Sequence, residues 1–325
     1  MKTEPIIIAT RGSALALAQT EIVREQCRKC FPNLQFEVKI IKTTGDKLQR
    51  ASLVQGAVGL PKGLFTKELE VALIKGKADM AVHSLKDLPT DLPANLKLGA
   101  VLKRADVRDT LIYRQGEFEN NANGILKFED FPSGDIVATT STRRAVQILA
   151  KNPGLIIKPI RGNIVTRLEK IAQQKELSAM VLAYAGLERL NFTIDSNGRL
   201  LGDAVPDGLF ARRLELDEML PSAGQGAIGI EIRSDDGRIE EICRLLNHYN
   251  TSQCVTAERS FLRAMGGGCQ SPVAVCAKVE REVITIRAIS FHHTPAMYAK
   301  EKGDLRHPVE LGEKVAEILK YGYII

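Results

Sequence analysis

The chain has 325 residues, 44% hydrophobic, 26% charged and 5% aromatic, with 45 Lys and Arg against 39 Asp and Glu for a net charge of +6. That length corresponds to about two or three domains of ~100–200 residues, and the apolar content with near-balanced charge excludes wholesale disorder. No run approaches the ~20 apolar residues of a membrane span, and Met1 to Pro5 leads into Ile6-Ile7-Ile8 without the apolar stretch and small-residue cleavage site of a secretory signal, so a cytoplasmic, multidomain protein with no membrane partner is expected.

Residues 6–9 form an apolar strand, and Ala14 to about Arg28 a helix with Leu15, Ala18, Ile22 and Val23 at helical spacing. Phe36–Ile41 reads as a second strand. Lys42–Gly63 is polar and glycine-spotted without clear periodicity, which predicts a long mobile loop. Leu64–Lys75 returns to a helix, and Ala78–Val82 is a buried strand ending at His83-Ser84. The pattern then restarts: a strand at Ile136–Ala138, a hydroxyl cluster Thr139 to Thr142, a helix to about Ala150, a strand at Leu155–Ile160, a helix from Ile164 to Gln174, a strand at Ala179–Ala183 and a short helix to Leu190. Strand and helix alternate in both stretches, which predicts mostly parallel sheets. Asn191–Asp217 is turn-rich, and the apolar Ala227–Ile232 is placed to return the chain to the first sheet. From about His248 the texture changes to a helix at Ala257–Ala264, a break at Gly266-Gly267-Gly268, a strand pair at Val273–Val279 and Val283–Ile289, and a closing helix at Val309–Leu319. These form a third, small α+β unit.

Six cysteines in such a chain read as thiols of a reducing compartment. Cys27 and Cys30 have metal-ligand spacing, but no second pair and no nearby His completes a ligand set, so no metal is expected.

In open α/β sheets, ligands bind beyond the C-terminal ends of strands, where helix N-termini present N–H groups and partial positive charge. The first strand is followed by Thr10-Arg11-Gly12-Ser13. The Ala78 strand is followed by His83-Ser84-Leu85-Lys86-Asp87, the Ile136 strand by four hydroxyls and Arg143-Arg144, and the Leu155 strand by Arg161-Gly162-Asn163, with Arg167 further on. Cations and hydroxyls recur at the same topological place. Arginine forks onto carboxylates and phosphates through two hydrogen bonds, so this recurrence predicts a ligand with several anionic groups in a cleft between two lobes. Neither GxxxxGK[ST] nor GxGxxG after a strand is present. Dispersed basic residues and the lack of Trp disfavour a nucleic-acid partner. A polycarboxylate remains. Among these cations, Asp87 either forms an ion pair, shapes a turn before Leu88-Pro89, or handles a proton and a developing cation. Cys269, after three glycines, is either an inert thiol or an attachment point. Paired lobes lined with arginines also suit a binding protein for a dicarboxylate, which is expected to carry a secretory signal.

Taken together, Ala9-Thr10-Arg11, Lys62 to Glu70, Ala81 to Pro89, Ser141 to Arg144, Ile160 to Asn163, Thr166-Arg167-Leu168, Ala185 to Leu190, Gly224 to Ala227 and Gly267 to Pro272 resemble the porphobilinogen deaminase (hydroxymethylbilane synthase) family, in order, from residue 6 to about 290. Leu60-Pro61 stand where the family often has a glycine pair, and Ala138-Thr139-Thr140 where Gly-Thr-Ser is more common.

The resemblance implies two periplasmic-binding-protein-like lobes with mostly parallel sheets, residues 1–105 with 221–246 and residues 106–220, plus a C-terminal α+β domain over 247–325. It implies a transferase that adds four porphobilinogen units head to tail to a dipyrromethane cofactor, loses ammonia each time, and releases hydroxymethylbilane. By the same resemblance Cys269 holds the cofactor through a thioether, and Asp87 is catalytic, stabilising the azafulvene cation formed as ammonia departs. Ser84, Lys86, Thr139, Ser141, Arg143 and Arg144 match cofactor-binding positions. Arg11, Ser13, Arg161, Arg167 and Arg189 match positions holding the substrate's acetate and propionate groups, and Phe65 one that stacks on a pyrrole. The family suggests a monomer.

Overall fold

The computed structural model describes residues 4–45, 66–114, 126–268 and 270–322. The first sheet has the order β2-β1-β3-β12-β4, from β1 (Ile6–Thr10), β2 (Phe36–Ile40), β3 (Met80–Ser84), β4 (Leu96–Val101) and β12 (Ile228–Arg233). β1 pairs in parallel with β2 and β3, and β12 is antiparallel to both β3 and β4. Four of the five strands therefore run one way. Both faces are covered, which is why β1 reads as an unbroken Ile run rather than an alternation. Ile6, Ile8, Met80, Val82, Ile228, Ile230 and Ile232 pack on one side with Val23 of α1 (Ala14–Cys30) and Ile239 and Ile242 of α6 (Gly237–Leu246). Ala9, Ala81 and Leu96 pack on the other with Leu69 and Leu73 of α2 (Lys67–Ile74).

The second sheet repeats this plan in the order β11-β5-β8-β6-β7, from β5 (Asp109–Arg114), β6 (Ile136–Ala138), β7 (Ile156–Lys158), β8 (Ala179–Ala183) and β11 (Leu209–Arg213). Here β5 is the one reversed strand. Its helices are α3 (Thr142–Lys151), α4 (Ile164–Gln173) and α5 (Tyr184–Glu188). A short pair, β9 (Thr193–Ile194) and β10 (Leu200–Leu201), lies in the turn-rich stretch.

The reversed strand of each sheet is the one by which the chain arrives from the other. The two crossings, residues 102–108 and 214–227, are tied together: Ala105 N donates to Gly226 O at 3.1 Å, Arg104 Nε to Gln225 O at 2.7 Å and Gln225 Nε2 to Val107 O at 2.8 Å. The last unit is an antiparallel sheet of β13 (Val273–Glu280), β14 (Val283–Ser290) and β15 (Met297–Asp304). One face is covered by α7 (Tyr249–Ala264) and α8 (Pro308–Tyr321), with Phe261, Val315 and Leu319 packed on Val275, Ile284 and Ile286.

The structure adds to the sequence expectations. The last sheet has a third strand, Met297–Asp304, whose Lys300, Glu301 and Lys302 mark a charged edge rather than a buried alternation. The last-unit helix starts at Tyr249, eight residues before the expected position. Most of the loop expected at Lys42–Gly63 lies outside the described residues, as do Phe65 and Cys269. Cys27 is buried in the first core and Cys30 is exposed at the last turn of α1. No described helix is long and apolar enough to cross a membrane.

Candidate functional site

Of the helices that begin beyond parallel strands, three open with a capped first turn, α1, α3 and α4. Each is capped by a side chain that takes one of the orphan N–H groups of the first turn: Ala16 N donates to Ser13 Oγ at 3.2 Å, Arg144 N to Ser141 Oγ at 3.4 Å, and Thr166 N to Asn163 Oδ1 at 2.9 Å. All three N-termini open onto one cavity of about 430 Å³, within the usual size range of small-molecule sites. β3 ends at the same place in a single 3-10 turn, Leu85–Asp87. The crossing at Ser222–Ala227 forms the floor, and Gly268, Ser271 and Val273 bring the last unit into the wall.

Of the side chains expected from the sequence, Arg11, Ser13, Ser84, Lys86, Asp87, Ser141, Arg143, Arg144, Arg167 and Arg189 line this one cavity. Thr139 and Arg161 do not. Thr139 is buried, and its Oγ1 accepts the Ser141 N–H at 3.1 Å, shaping the turn into α3. The Arg161 carbonyl accepts from Lys170 Nζ at 2.9 Å.

The cations differ in how far they are engaged. Arg143 and Arg144 are buried and share Asp109. Arg144 Nε and Nη2 donate to Asp109 Oδ1 at 3.2 and 2.8 Å, and Arg143 Nη1 lies 2.8 Å from Asp109 Oδ2. The same Arg143 Nη1 donates to the Leu220 carbonyl at 2.6 Å, and Arg144 Nη1 to that of Val181 at 2.9 Å. Burial alone raises the Asp109 pKa, but the two guanidiniums outweigh it and hold the carboxyl well below the usual range. Together the three groups carry one net positive charge at the back of the cavity.

Lys86 is half-buried, and burial draws its ammonium down to about 8, against the opposing pull of Asp87. Burial also draws Arg167 and Arg189 to about 10. Each is anchored by one backbone carbonyl, Arg167 Nε to Gly162 O at 2.8 Å and Arg189 Nη2 to Gly226 O at 2.6 Å. A wall that depresses the pKa of its cations is one that a bound anion restores. Asp87 is an exposed carboxylate on this wall.

Two glutamines complete the site without a role assigned to either from the sequence, although Gln225 lies in the Gly224–Ala227 segment that carries the family resemblance. Gln225 Nε2 donates to Asp109 Oδ1 at 3.0 Å, linking the floor to the arginine pair. Gln19 lines the cavity but is only 2% exposed. Its Oε1 accepts the Ser84 hydroxyl at 2.9 Å, and its Nε2 has no hydrogen-bond partner among the described residues. A buried amide donor without a partner is costly, so its place on the cavity wall marks it for an acceptor on a ligand. The one local signal is a polar residue directly after the apolar run Ala14–Ala18, on the side of α1 that is buried.

Cationic groups, three helix N-termini and an orphan amide donor suit a ligand edged with several carboxylates, and the accessible carboxylate of Asp87 suits a cation developing on it. Comparisons with known proteins find relatives along nearly the whole chain. Residues 6–241 match the family model described as "Porphobilinogen deaminase, dipyromethane cofactor binding domain", and residues 252–321 match "Porphobilinogen deaminase, C-terminal domain". The chain is 41% identical over 315 residues to the porphobilinogen deaminase of Prochlorococcus marinus (strain MIT 9515), covering 96% of this chain and 92% of that one. It is 38% identical over 321 residues to that of Carboxydothermus hydrogenoformans, covering 98% and 94%. Among solved structures it is similar to an ancestral arginine-binding protein bound to arginine, with 14% identity and a TM-score of 0.38 over 76% of this chain and 92% of that one.

Proposed function

The chain belongs to the porphobilinogen deaminase family and has its transferase function in tetrapyrrole biosynthesis, and we propose that the cavity around Asp87 is where it joins four porphobilinogen units head to tail, with ammonia lost at each addition, before hydroxymethylbilane is released. The observation that carries this assignment is the convergence of Arg11, Lys86, Arg167 and Arg189 with three helix N-termini around the accessible carboxylate of Asp87. Each pyrrole bears an acetate and a propionate, so a growing chain needs a wall of forked cations and N–H donors.

The dipyrromethane that this family binds fits the donor set, since its own acid side chains are acceptors for the Gln19 Nε2–H, which has none among the described residues, and opposite charges for the Lys86 ammonium that burial depresses. When bound, it supplies the free pyrrole position to which substrate units are added. Ser84, Lys86, Ser141, Arg143 and Arg144 are assigned to holding it, with Thr139 acting through the turn it shapes. Arg11, Ser13, Arg167 and Arg189 are assigned to the incoming substrate, with Arg161 a more distant contributor. Asp87 hydrogen-bonds the reacting pyrrole, assists proton delivery to the departing amine, and stabilises the cation left on the substrate.

We assign the covalent attachment to Cys269. In support, Gly268 and Ser271 lie on the cavity wall. The thiols of Cys27, Cys243, Cys254 and Cys276 are buried and pushed up to about 12 by that burial, which makes them poor nucleophiles. We also read residues 1–105 with 221–246, 106–220 and 247–325 as three domains of a cytoplasmic monomer without a nucleic-acid partner. Intact-mass measurement tests the attachment. The purified protein is expected to exceed its polypeptide mass by a two-pyrrole adduct, and the excess to vanish in Cys269→Ser. A bare polypeptide with full turnover contradicts the assignment.

A further inference from the structure

One buried ionisable pair takes no part in the chemistry above. His83 on β3 and Glu231 on β12 are 5% and 0% exposed, and His83 Nε2 lies 3.0 Å from Glu231 Oε2. The two strands are antiparallel with His83 opposite Gly229 and Glu231 opposite Ala81, so the pair is a diagonal one, within reach of long side chains. Met80, Val82, Ile228, Ile230 and Ile232 occupy one face of these strands. The alternation of side chains puts His83 and Glu231 on the other, the face on which Ala81 packs with Leu69 and Leu73. A carboxylate here is expensive, and its Oε1 has no hydrogen-bond partner among the described residues. Two apolar side chains of similar volume fill such a place at lower cost.

The pair stands one residue before the reactive end of β3. His83 is next to Ser84, which is opposite Ile228, and then comes the Leu85–Asp87 turn. That turn rests on the run into β12. Leu85 N donates to Ala227 O at 3.1 Å. A Cβ on Gly224 (φ +70°) comes within 3.2 Å of Leu85 C and Lys86 N, and one on Gly229 within 2.7 Å of Leu85 Cδ1. With contact this close, any slip of β3 along β12 moves the carboxylate of Asp87. Apolar packing tolerates small slips, whereas a hydrogen bond between charged or polar partners is directional.

We propose that His83 and Glu231 are a positioning pair that fixes β3 against β12 and thereby holds Asp87 in its reactive place. This rests on the assignment of Asp87 as the catalytic carboxylate. The holoenzyme of His83→Leu/Glu231→Leu is expected to keep its two-pyrrole adduct and a melting temperature near that of the parent. Its kcat is expected to fall roughly 100-fold, the scale of a ~1 Å misplacement, with KM changed less than about threefold. Glu231→Gln, which keeps an acceptor for His83, is expected to retain most of the kcat that Glu231→Leu loses. A double variant with parental kcat overturns the proposal, as does one that fails to fold, or a Glu231→Gln variant as slow as Glu231→Leu. Asp87→Asn tests the underlying assignment separately. If it turns over normally the catalytic reading fails, whereas an active double variant beside an inactive Asp87→Asn removes only the positioning role.

Discussion

Glu258 of α7 accepts both ends of the Arg104 guanidinium, at 2.7 and 2.9 Å, with the Glu258 side chain fully buried. The same carboxylate takes the N–H groups of Gly224 and Ala277, at 2.8 and 2.7 Å. One side chain thus joins both crossings between the lobes to the helix and sheet of the last unit. Glu258→Gln breaks a buried pair and leaves a charged guanidinium behind, which costs about 3–5 kcal/mol. Chemical denaturation is expected to show a loss of that size, and a melting temperature within a degree of the parent contradicts it.

Asp87 is exposed at the end of its 3-10 turn, so Asp87→Ala is expected to change stability by no more than ~0.5 kcal/mol. Porphobilinogen consumption is expected to fall by at least ~10²-fold, the low end of what a positioned acid or base contributes. Circular dichroism and steady-state rates on one preparation separate the two effects.

Gln19 offers a donor to the ligand and an acceptor to Ser84. A hydrogen bond to a charged group contributes ~1.5–3 kcal/mol, so Gln19→Leu is expected to raise KM on the order of 10- to 100-fold at ~1.4 kcal/mol per tenfold. Gln19→Glu is expected to be worse, since it sets a carboxylate against the substrate's own. A KM unchanged in both variants places the Gln19 amide away from the ligand.

The cations give binding a pH signature. Lys86 titrates near 8 in the folded chain, below its ordinary value of 10.5. The unfolded chain therefore holds more protons between these values, and this group's burden on stability lifts as pH rises from about 8 to 10.5. Bound carboxylates favour the ammonium and raise its pKa, so substrate binding is expected to take up a proton above pH 8. Calorimetry in buffers of different ionisation enthalpy reads that proton, and Lys86→Met is expected to abolish it. Asp109 has the opposite sign: its lowered pKa contributes stability above the ordinary carboxylate range that is lost as pH falls below it.

Much of this site is legible in the sequence because strands β1, β3, β6 and β7 are apolar runs ending in polar residues, and sheet geometry places such ends together. The positions of Arg11, Lys86, Asp87, Ser141 and Arg167 follow from that rule. The division of labour among the arginines does not. Nothing in local sequence tells that Asp109, some 35 residues before Arg144, claims that guanidinium, and such long-range pairing emerges only from the fold. The strands Leu96–Val101, Asp109–Arg114 and Leu209–Arg213 escape a reading of periodicity because charged ends and glycine interrupt their apolar alternation. Tertiary pairing, not intrinsic preference, makes them strands.

The placement of β12 between β3 and β4 also bears on how the polypeptide matures. Among the described residues β4 has no strand neighbour other than β12, so the N-terminal sheet stays unfinished until residue 233 has left the ribosome. The strands of the other five-stranded sheet, spanning 109–213, have all been made before that. Although domains usually mature from the N-terminus onward during translation, here the inserted lobe is the first that can close, and it brings the missing central strand back to the waiting edges of the earlier one.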